Sequence, residues 1–207
     1  MNVELDDLLT QYAYPLLKAA GYRRRRREAI IDGPQGMVGT VAFYPNRDML
    51  YSPGFTLQYG VTTPLLRAFT RDEGLREPSW LSPSDALWMV QAVSPDWSEN
   101  NDSATAMPGR WALEGDGGSS RRLGDHLAVT LEYEVFPTVR AWFDPLALAA
   151  AIQENRRGHF SGLGPIPRSM AMALAECGPS DRLGLTLESL PPDDNVRVWI
   201  ERKLGER

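Results

Sequence analysis

The chain has 207 residues, a formal net charge of −5 at pH 7 and an apolar fraction of 43%, which is typical of one globular domain. The modest negative charge disfavours binding of nucleic acid through overall charge, and the single Cys177 excludes an internal disulfide and a cysteine-rich metal site. Because the N-terminus lacks a secretory signal and no apolar run approaches the roughly 20 residues that span a bilayer, we predict a cytoplasmic bacterial protein without membrane contact.

The first predicted element is an amphipathic helix. Its apolar residues recur with the 3.6-residue period of an α-helix. They are Leu5, Leu8, Leu9, Tyr12, Leu16 and Leu17. Gly21 suits the left-handed position that ends a helix, whereas Pro15 removes a backbone donor and predicts a kink. We expect Leu9, Leu16 and Phe43 to be buried together where this helix packs on a sheet.

After the helix, the pattern changes to the two-residue alternation of β-strands. Strands are predicted over residues 22–31, 37–44 and 55–61, and the first of them contains five consecutive arginines. The short turns between these strands favour antiparallel hairpins.

Three segments of this region form a recognisable combination: residues 16–23 (LLKAAGYR), 41–44 (VAFY) and 55–61 (FTLQYGV). With an amphipathic helix, a glycine–aromatic–basic step and two hydrophobic strands, the first sixty residues resemble the bacterial domain-of-unknown-function family 4304. The resemblance supplies no catalytic residues. Because similar domains often lie beside bacterial polymorphic toxin genes, it implies an immunity protein that binds a toxin.

The middle of the chain has weaker signals. Residues 82–85 resemble a capping box that would start a helix, but the apolar run at 87–93 is short and bounded by Pro95, which favours a strand. Residues 94–120 are rich in acidic residues, asparagine and glycine. We predict a long mobile loop there, with one short edge strand at residues 110–113.

The C-terminal half carries mainly helical signals. Residues 125–136 show both a two-residue and a helical period; we choose a helix that starts at Asp125 and ends at Pro137. Asp144 and Pro145 then suit the N-cap and first position of the next helix. Further helices are predicted over residues 146–155, 168–176, 181–190 and 195–204.

The predicted fold class is therefore α+β. An N-terminal helix packs on an antiparallel sheet of three to five strands, and a helical C-terminal half follows. We expect a single domain over residues 1–207, with the helix, the sheet and the mobile loop in residues 1–120 and the helices in residues 121–207.

Acidic residues in and beside the predicted loop form the first candidate binding surface. They are Asp96, Glu99, Asp102, Glu114 and Asp116. Many nuclease toxins are basic because they bind nucleic acid, and an acidic surface could occupy such a site. The opposing interpretation is that polar loops contain acidic residues without any binding role.

The arginine run is the alternative binding surface. In a single strand, Arg23, Arg25 and Arg27 would share one face and could bind phosphates or carboxylates. Five like charges also make a solvated edge strand that resists aggregation. No aromatic residues are interleaved with the arginines, so stacking of single-stranded nucleic acid is disfavoured.

No motif predicts catalysis, a metal or a cofactor. His126 and His159 stand outside metal-ligand spacing, and Asp125, His126 and Cys177 carry no nucleophile signature. We expect Cys177 to be buried and both histidines to be exposed. Together with the resemblance to family 4304, the lack of such motifs in the sequence favours a non-enzymatic immunity-type protein that neutralises a basic bacterial toxin by occluding it. A module that binds nucleic acid or a phosphate ligand through residues 23–27 is the alternative.

Overall fold

The computed structural model describes residues 3–46, 54–75, 78–93, 110–113, 117–155 and 163–206. Within these stretches the predicted α+β class is confirmed. An N-terminal helix, an antiparallel sheet and a helical C-terminal half follow one another along the chain.

The N-terminal helix, α1, contains one wider turn. It is α-helical over Val3–Leu8, π-helical over Leu9–Ala13 and α-helical again over Tyr14–Ala19. The Tyr14 N–H bonds to the carbonyl of Leu9, five residues earlier, which is the π pattern. Because a proline ring clashes with the carbonyl four residues before it in a regular helix, the irregularity predicted at Pro15 takes the form of a π turn directly before it.

Gly21 ends α1 as predicted, with a φ of +90°. Its N–H donates to the Lys18 carbonyl at 3.1 Å, and the Tyr22 N–H donates to the Leu17 carbonyl at 2.8 Å. These two bonds form a Schellman motif, which turns the chain into the sheet.

Among the described residues the sheet has six strands, and each pairing between them is antiparallel. They are β1 (Arg23–Arg25), β2 (Glu28–Asp32), β3 (Val38–Asn46), β4 (Gly54–Thr62), β5 (Trp88–Gln91) and β6 (Arg110–Ala112). Their order is β1-β2-β3-β4-β5, and the short β6 also pairs with β4. The strands predicted near residues 87–93 and 110–113 are thereby confirmed as β5 and β6, and the capping box forms a 3₁₀ turn, Pro83–Asp85, before β5.

The predicted single strand over residues 22–31 is wrong. β1 and β2 pair as a hairpin, with Arg23 opposite Ile30 and Arg25 opposite Glu28. Arg26 lies in the turn with a φ of 56°. No glycine, asparagine or proline marks this turn, so the usual hairpin signal was missing. β1 is an edge strand whose three residues are exposed, as expected for a charged, solvated edge.

The core lies between the sheet and the helices. Leu9 and Phe43 are buried as predicted, but Leu16 is only half-buried, and Leu17 (1% exposed) is the residue that faces the core. The π turn explains the difference, because its extra residue shifts the apolar phase of the helix. One row of buried positions consequently recurs every fourth residue, at Leu5, Leu9, Ala13 and Leu17, with Leu8 buried beside it.

The remaining helices lie mainly in the C-terminal half, where helices were predicted. They are α2 (Pro64–Asp72), α3 (Gly117–Thr130, a π turn at Leu131–Val135, then Phe136–Ala141), α4 (Pro145–Glu154), α5 (Ile166–Ala175), α6 (Asp181–Glu188) and α7 (Asn195–Gly205). Asp144 caps α4 as predicted, accepting a hydrogen bond from the Leu146 N–H at 2.9 Å. Asp194 caps α7 in the same way and also pairs with Arg168 at 2.8 Å.

Helix α3 differs from its prediction at both ends. It begins at Gly117, within the predicted mobile loop, and it continues past Pro137 to Ala141. The Phe136 N–H bonds to the Leu131 carbonyl five residues earlier, so a π turn again precedes a proline and lets the helix continue. Among the described helices none alone has the length and hydropathy of a membrane span; Arg121–Ala141 and Pro145–Glu154 pass that test only as a pair, which is bent by 113°.

Candidate functional site

The predicted acidic surface lies outside the part of the chain that the structure describes. This holds for Asp96, Glu99, Asp102, Glu114 and Asp116. His159 also lies outside it. The acidic surface therefore stays a prediction.

The predicted trio of Arg23, Arg25 and Arg27 does not lie on one strand, because β1 ends at Arg25 and Arg27 lies in the turn to β2. Arg23 Nη2 donates to both carboxylate oxygens of Asp32, at 2.9 and 2.8 Å. Arg27 donates to Asp6 of α1 through Nε and Nη2, both at 2.8 Å. The Arg27 hydrogen bond holds the pKa of the Asp6 carboxyl below its ordinary value. Arg23 thus ties the open end of the hairpin to Asp32, and Arg27 ties the turn of the hairpin to α1.

The other three arginines of the hairpin, Arg24 and Arg25 in β1 and Arg26 in the turn, are arranged differently. The guanidinium of Arg24 lies 3.9 Å from the ring centre of Tyr14, and its Nη1 donates to the carbonyl of Arg26 at 2.9 Å. Arg24, Arg25 and Arg26 are all exposed. We call these three residues the arginine tip. The five arginines were predicted to lie on a single strand, so the turn at Arg26 was missed.

Helix α3 presents an exposed apolar surface that the sequence analysis did not identify. Its members recur every fourth residue on the outer side of the helix and are Val129, Tyr133, Pro137 and Ala141. We call them the outer α3 stripe. Val129 is 54% exposed and Tyr133 is 78% exposed. The same periodicity produces the buried stripe of α3 (Leu123, Leu127, Leu131 and Val135), which is why only one apolar face was noticed.

Two contacts fix α3 in place behind its outer stripe. A Cβ atom at Gly124 would lie 2.4 Å from ring carbons of Tyr12, so the missing side chain lets α1 approach. The Tyr59 hydroxyl of β4 donates to Glu134 Oε1 at 2.9 Å, and the Tyr59 ring stacks on Trp142. The outer stripe is therefore displayed on a rigidly packed helix.

Among the described residues, the reactive side chains elsewhere do not assemble into a recognisable catalytic group. Cys177 is exposed rather than buried, because it follows the last turn of α5, where Gly178 reverses the chain. Partial desolvation of its sulfur by the surrounding chain, together with the neighbouring Asp144 and Glu176, raises the pKa of the Cys177 thiol, which is the opposite of what an activated nucleophile needs. His126 is half-buried, not exposed as predicted. In the described stretches, no group of three or more His, Cys, Asp or Glu residues could hold a metal ion.

Comparison with known proteins gave no match to this chain among protein-family models, curated proteins or solved structures. The resemblance to family 4304 thus stays a prediction from the residues that carry it. Those residues fold as the end of α1, part of β3 and part of β4.

Proposed function

We propose that this protein is a non-catalytic, cytoplasmic binding protein of the immunity type, which neutralises a bacterial toxin by covering a surface that the toxin needs. The observation that carries the proposal is the outer α3 stripe, in which Tyr133 is 78% exposed one turn from the exposed Val129. The resemblance of the first sixty residues to family 4304 supplies the immunity role.

The stripe has the properties of a protein-binding surface. Single exposed apolar residues are ordinary, but a contiguous group marks an interaction site. Tyrosine is enriched among the residues that contribute most to binding energy. Because α3 is held by Tyr12 and Tyr59, little conformational entropy would be lost when a partner docks on it.

The charges around the stripe favour a basic partner at its centre. Asp125 and Glu132 are exposed beside Val129 and Tyr133, and the whole chain carries a net charge of −5. Such charges speed the association of an oppositely charged protein and weaken with salt. Arg140 lies at the C-terminal end of α3, so the contact is expected over the two central turns.

The test is co-expression with the product of the neighbouring gene in the source genome, followed by co-purification and calorimetry. Tyr133→Ala should weaken binding by about tenfold or more, as for an interface residue that contributes strongly. Leu185→Ala is the matched control, because Leu185 is 69% exposed on another helix, α6, and it should bind as the wild type does. The proposal fails if no toxin is retained, or if Tyr133→Ala and Leu185→Ala bind equally well.

A further inference from the structure

We propose that, when no toxin is bound, the outer α3 stripe is covered by the same stripe of a second copy of this chain, in an antiparallel pair with twofold symmetry. Tyr133 lies at the centre of this contact, next to the twofold axis. The inference rests on the proposed function in taking the stripe as a binding surface, and it adds how that surface is regulated.

The apolar residues of the stripe are arranged symmetrically about Tyr133. Val129 lies one turn before Tyr133 and Pro137 lies one turn after it, and all three residues are exposed. When a second α3 runs in the opposite direction, Val129 of one copy therefore faces Pro137 of the other. The two Tyr133 rings meet at the centre, where aromatic pairs gain from offset stacking. The apolar row is thus complementary to its own inverted copy.

One flank of the stripe carries exposed charges in an order that fits an inverted copy. Asp125, Glu132 and Arg140 follow one another at intervals of about two turns, so they lie on the same side of α3. Because Asp125 lies about two turns before Tyr133 and Arg140 about two turns after it, an antiparallel pair places the Asp125 carboxylate of each copy opposite the Arg140 guanidinium of the other. A parallel pair would place like charges opposite each other.

The guanidinium of Arg140 has donors for this contact. Its Nη2 donates to the carbonyl of Ala20 at 3.4 Å, which is a long hydrogen bond. A guanidinium carries five N–H donors, so Arg140 can keep this bond and also bind the carboxylate of a second copy. The two Asp125–Arg140 contacts of the pair are therefore expected to form together.

Glu132 limits the strength of the pair. It is exposed directly beside Tyr133, so the Glu132 carboxylates of the two copies lie near the twofold axis and repel each other. A contact made by one helix face is also typical of small, transient interfaces. We therefore expect a Kd in the tens of micromolar, so that unfolding measured at low micromolar concentration reports on the monomer. A basic toxin would attract Glu132 instead, and it would displace the second copy.

Sedimentation equilibrium of the purified chain at low salt, over a range of protein concentrations, tests the pairing. The wild type should associate to dimers, and Tyr133→Ala should weaken this association by about tenfold or more. Leu185→Ala removes an equally exposed apolar side chain from α6 and should leave the Kd unchanged within about twofold. Glu132→Gln should strengthen the association severalfold, because it removes the repulsion at the axis.

Exchange of charges tests the antiparallel register. Asp125→Arg and Arg140→Asp should each weaken self-association severalfold, because each substitution places like charges opposite one another. An equimolar mixture of these two variants should form mixed dimers with the affinity of the wild type, since every introduced charge then faces an opposite charge. The double variant, Asp125→Arg with Arg140→Asp, should also regain that affinity.

A wild-type chain that stays monomeric up to millimolar concentration overturns the inference. Equal effects of Tyr133→Ala and Leu185→Ala overturn it as well, and so does a mixture of the two charge variants that associates no better than either alone. Addition of the toxin should convert the dimer into a complex with one copy of each protein, and a complex that retains the dimer contradicts the shared surface. Dimers formed by a chain that retains no toxin would refute only the proposed function, whereas toxin retained by a chain that never dimerises would refute only this inference.

Discussion

Helices α1 and α3 share an unusual construction but present different surfaces. Both contain a π turn directly before a proline, and both bury one face in the same core. The outer side of α1 is mainly polar and includes the exposed Glu4, Asp7, Gln11 and Lys18. The outer side of α3 carries the apolar stripe. The π turn places the buried face of each helix in the core, whereas the exposed outer stripe of α3 is expected to contribute little to folding.

The π turns set which residues of each helix face the core. The extra residue in a π turn rotates the part of the helix that follows it. The position that faces the core therefore moves by one residue along the sequence. In α1 the consequence is that Leu17, not Leu16, is buried. In α3 the π turn itself contains Glu134, whose carboxylate accepts a hydrogen bond from the hydroxyl of Tyr59.

The largest effect is expected from a charge placed at the core position of α1. Leu17→Asp should lower the free energy of unfolding by about 3–5 kcal/mol, because it buries an unpaired carboxylate. Leu16→Asp, one residue away and half-buried, should cost about 1 kcal/mol. Urea unfolding of the two variants measures both values. Equal losses would show that the π turn does not set the phase of α1.

The next effect concerns the place where α1 and α3 meet. Gly124→Ala should lower the free energy of unfolding by about 1–3 kcal/mol, because the new Cβ overlaps the ring of Tyr12. In a helix open to solvent the same change should stabilise by about 0.5–1 kcal/mol. Gly184→Ala in α6 is that control, since nothing lies within 4 Å of its Cβ position. Thermal melts that show the same sign for both variants would contradict the close packing of α1 on α3.

The sequence predicted elements whose signals are local. Asp144 with Pro145 marked the start of α4, and Gly21 marked the end of α1, because caps and left-handed positions need particular residue types. The β1–β2 turn was missed because Arg26 occupies a position that glycine or asparagine normally reveals.

The candidate surfaces were harder to predict, because they depend on which side of an element faces solvent. Residues 129 and 133 lie within the helix predicted over residues 125–136, but no local sequence signal distinguishes an exposed apolar stripe from a buried one. The arginine tip could not be predicted without the hairpin and the ion pairs of Arg27 with Asp6 and of Arg23 with Asp32. These carboxylates lie 21 and nine positions along the chain from their arginines.

A smaller, pH-dependent effect is expected where the hairpin joins α1. The pKa of Asp6 is lowered from its ordinary value of 3.8, chiefly by the hydrogen bond from Arg27. The stabilisation is therefore complete above pH 3.8 and is lost as the pH falls through the lower folded-state value. Asp6→Asn should cost no more than about 1 kcal/mol at pH 7, because the pair is partly exposed. The cost should be smaller near pH 2, where more of the Asp6 carboxyl is protonated. Urea titrations at both pH values test this, and an equal cost at both would exclude the ion pair as the cause.

The smallest effect on folding is expected at the outer α3 stripe. The contrast with a substitution in α1 shows most clearly how the two helices differ. Tyr133→Ala should leave the free energy of unfolding within about 0.5 kcal/mol of the wild type, because an exposed side chain has little to lose. Tyr12→Ala in α1 removes a ring that packs on Gly124 and should cost about 1–3 kcal/mol. Both values come from the same urea experiment. A large loss for Tyr133→Ala would mean that the stripe stabilises the fold, and its exposure would no longer point to a partner. A negligible loss, together with weaker toxin binding by the same variant, would mean that Tyr133 contributes to association and not to folding.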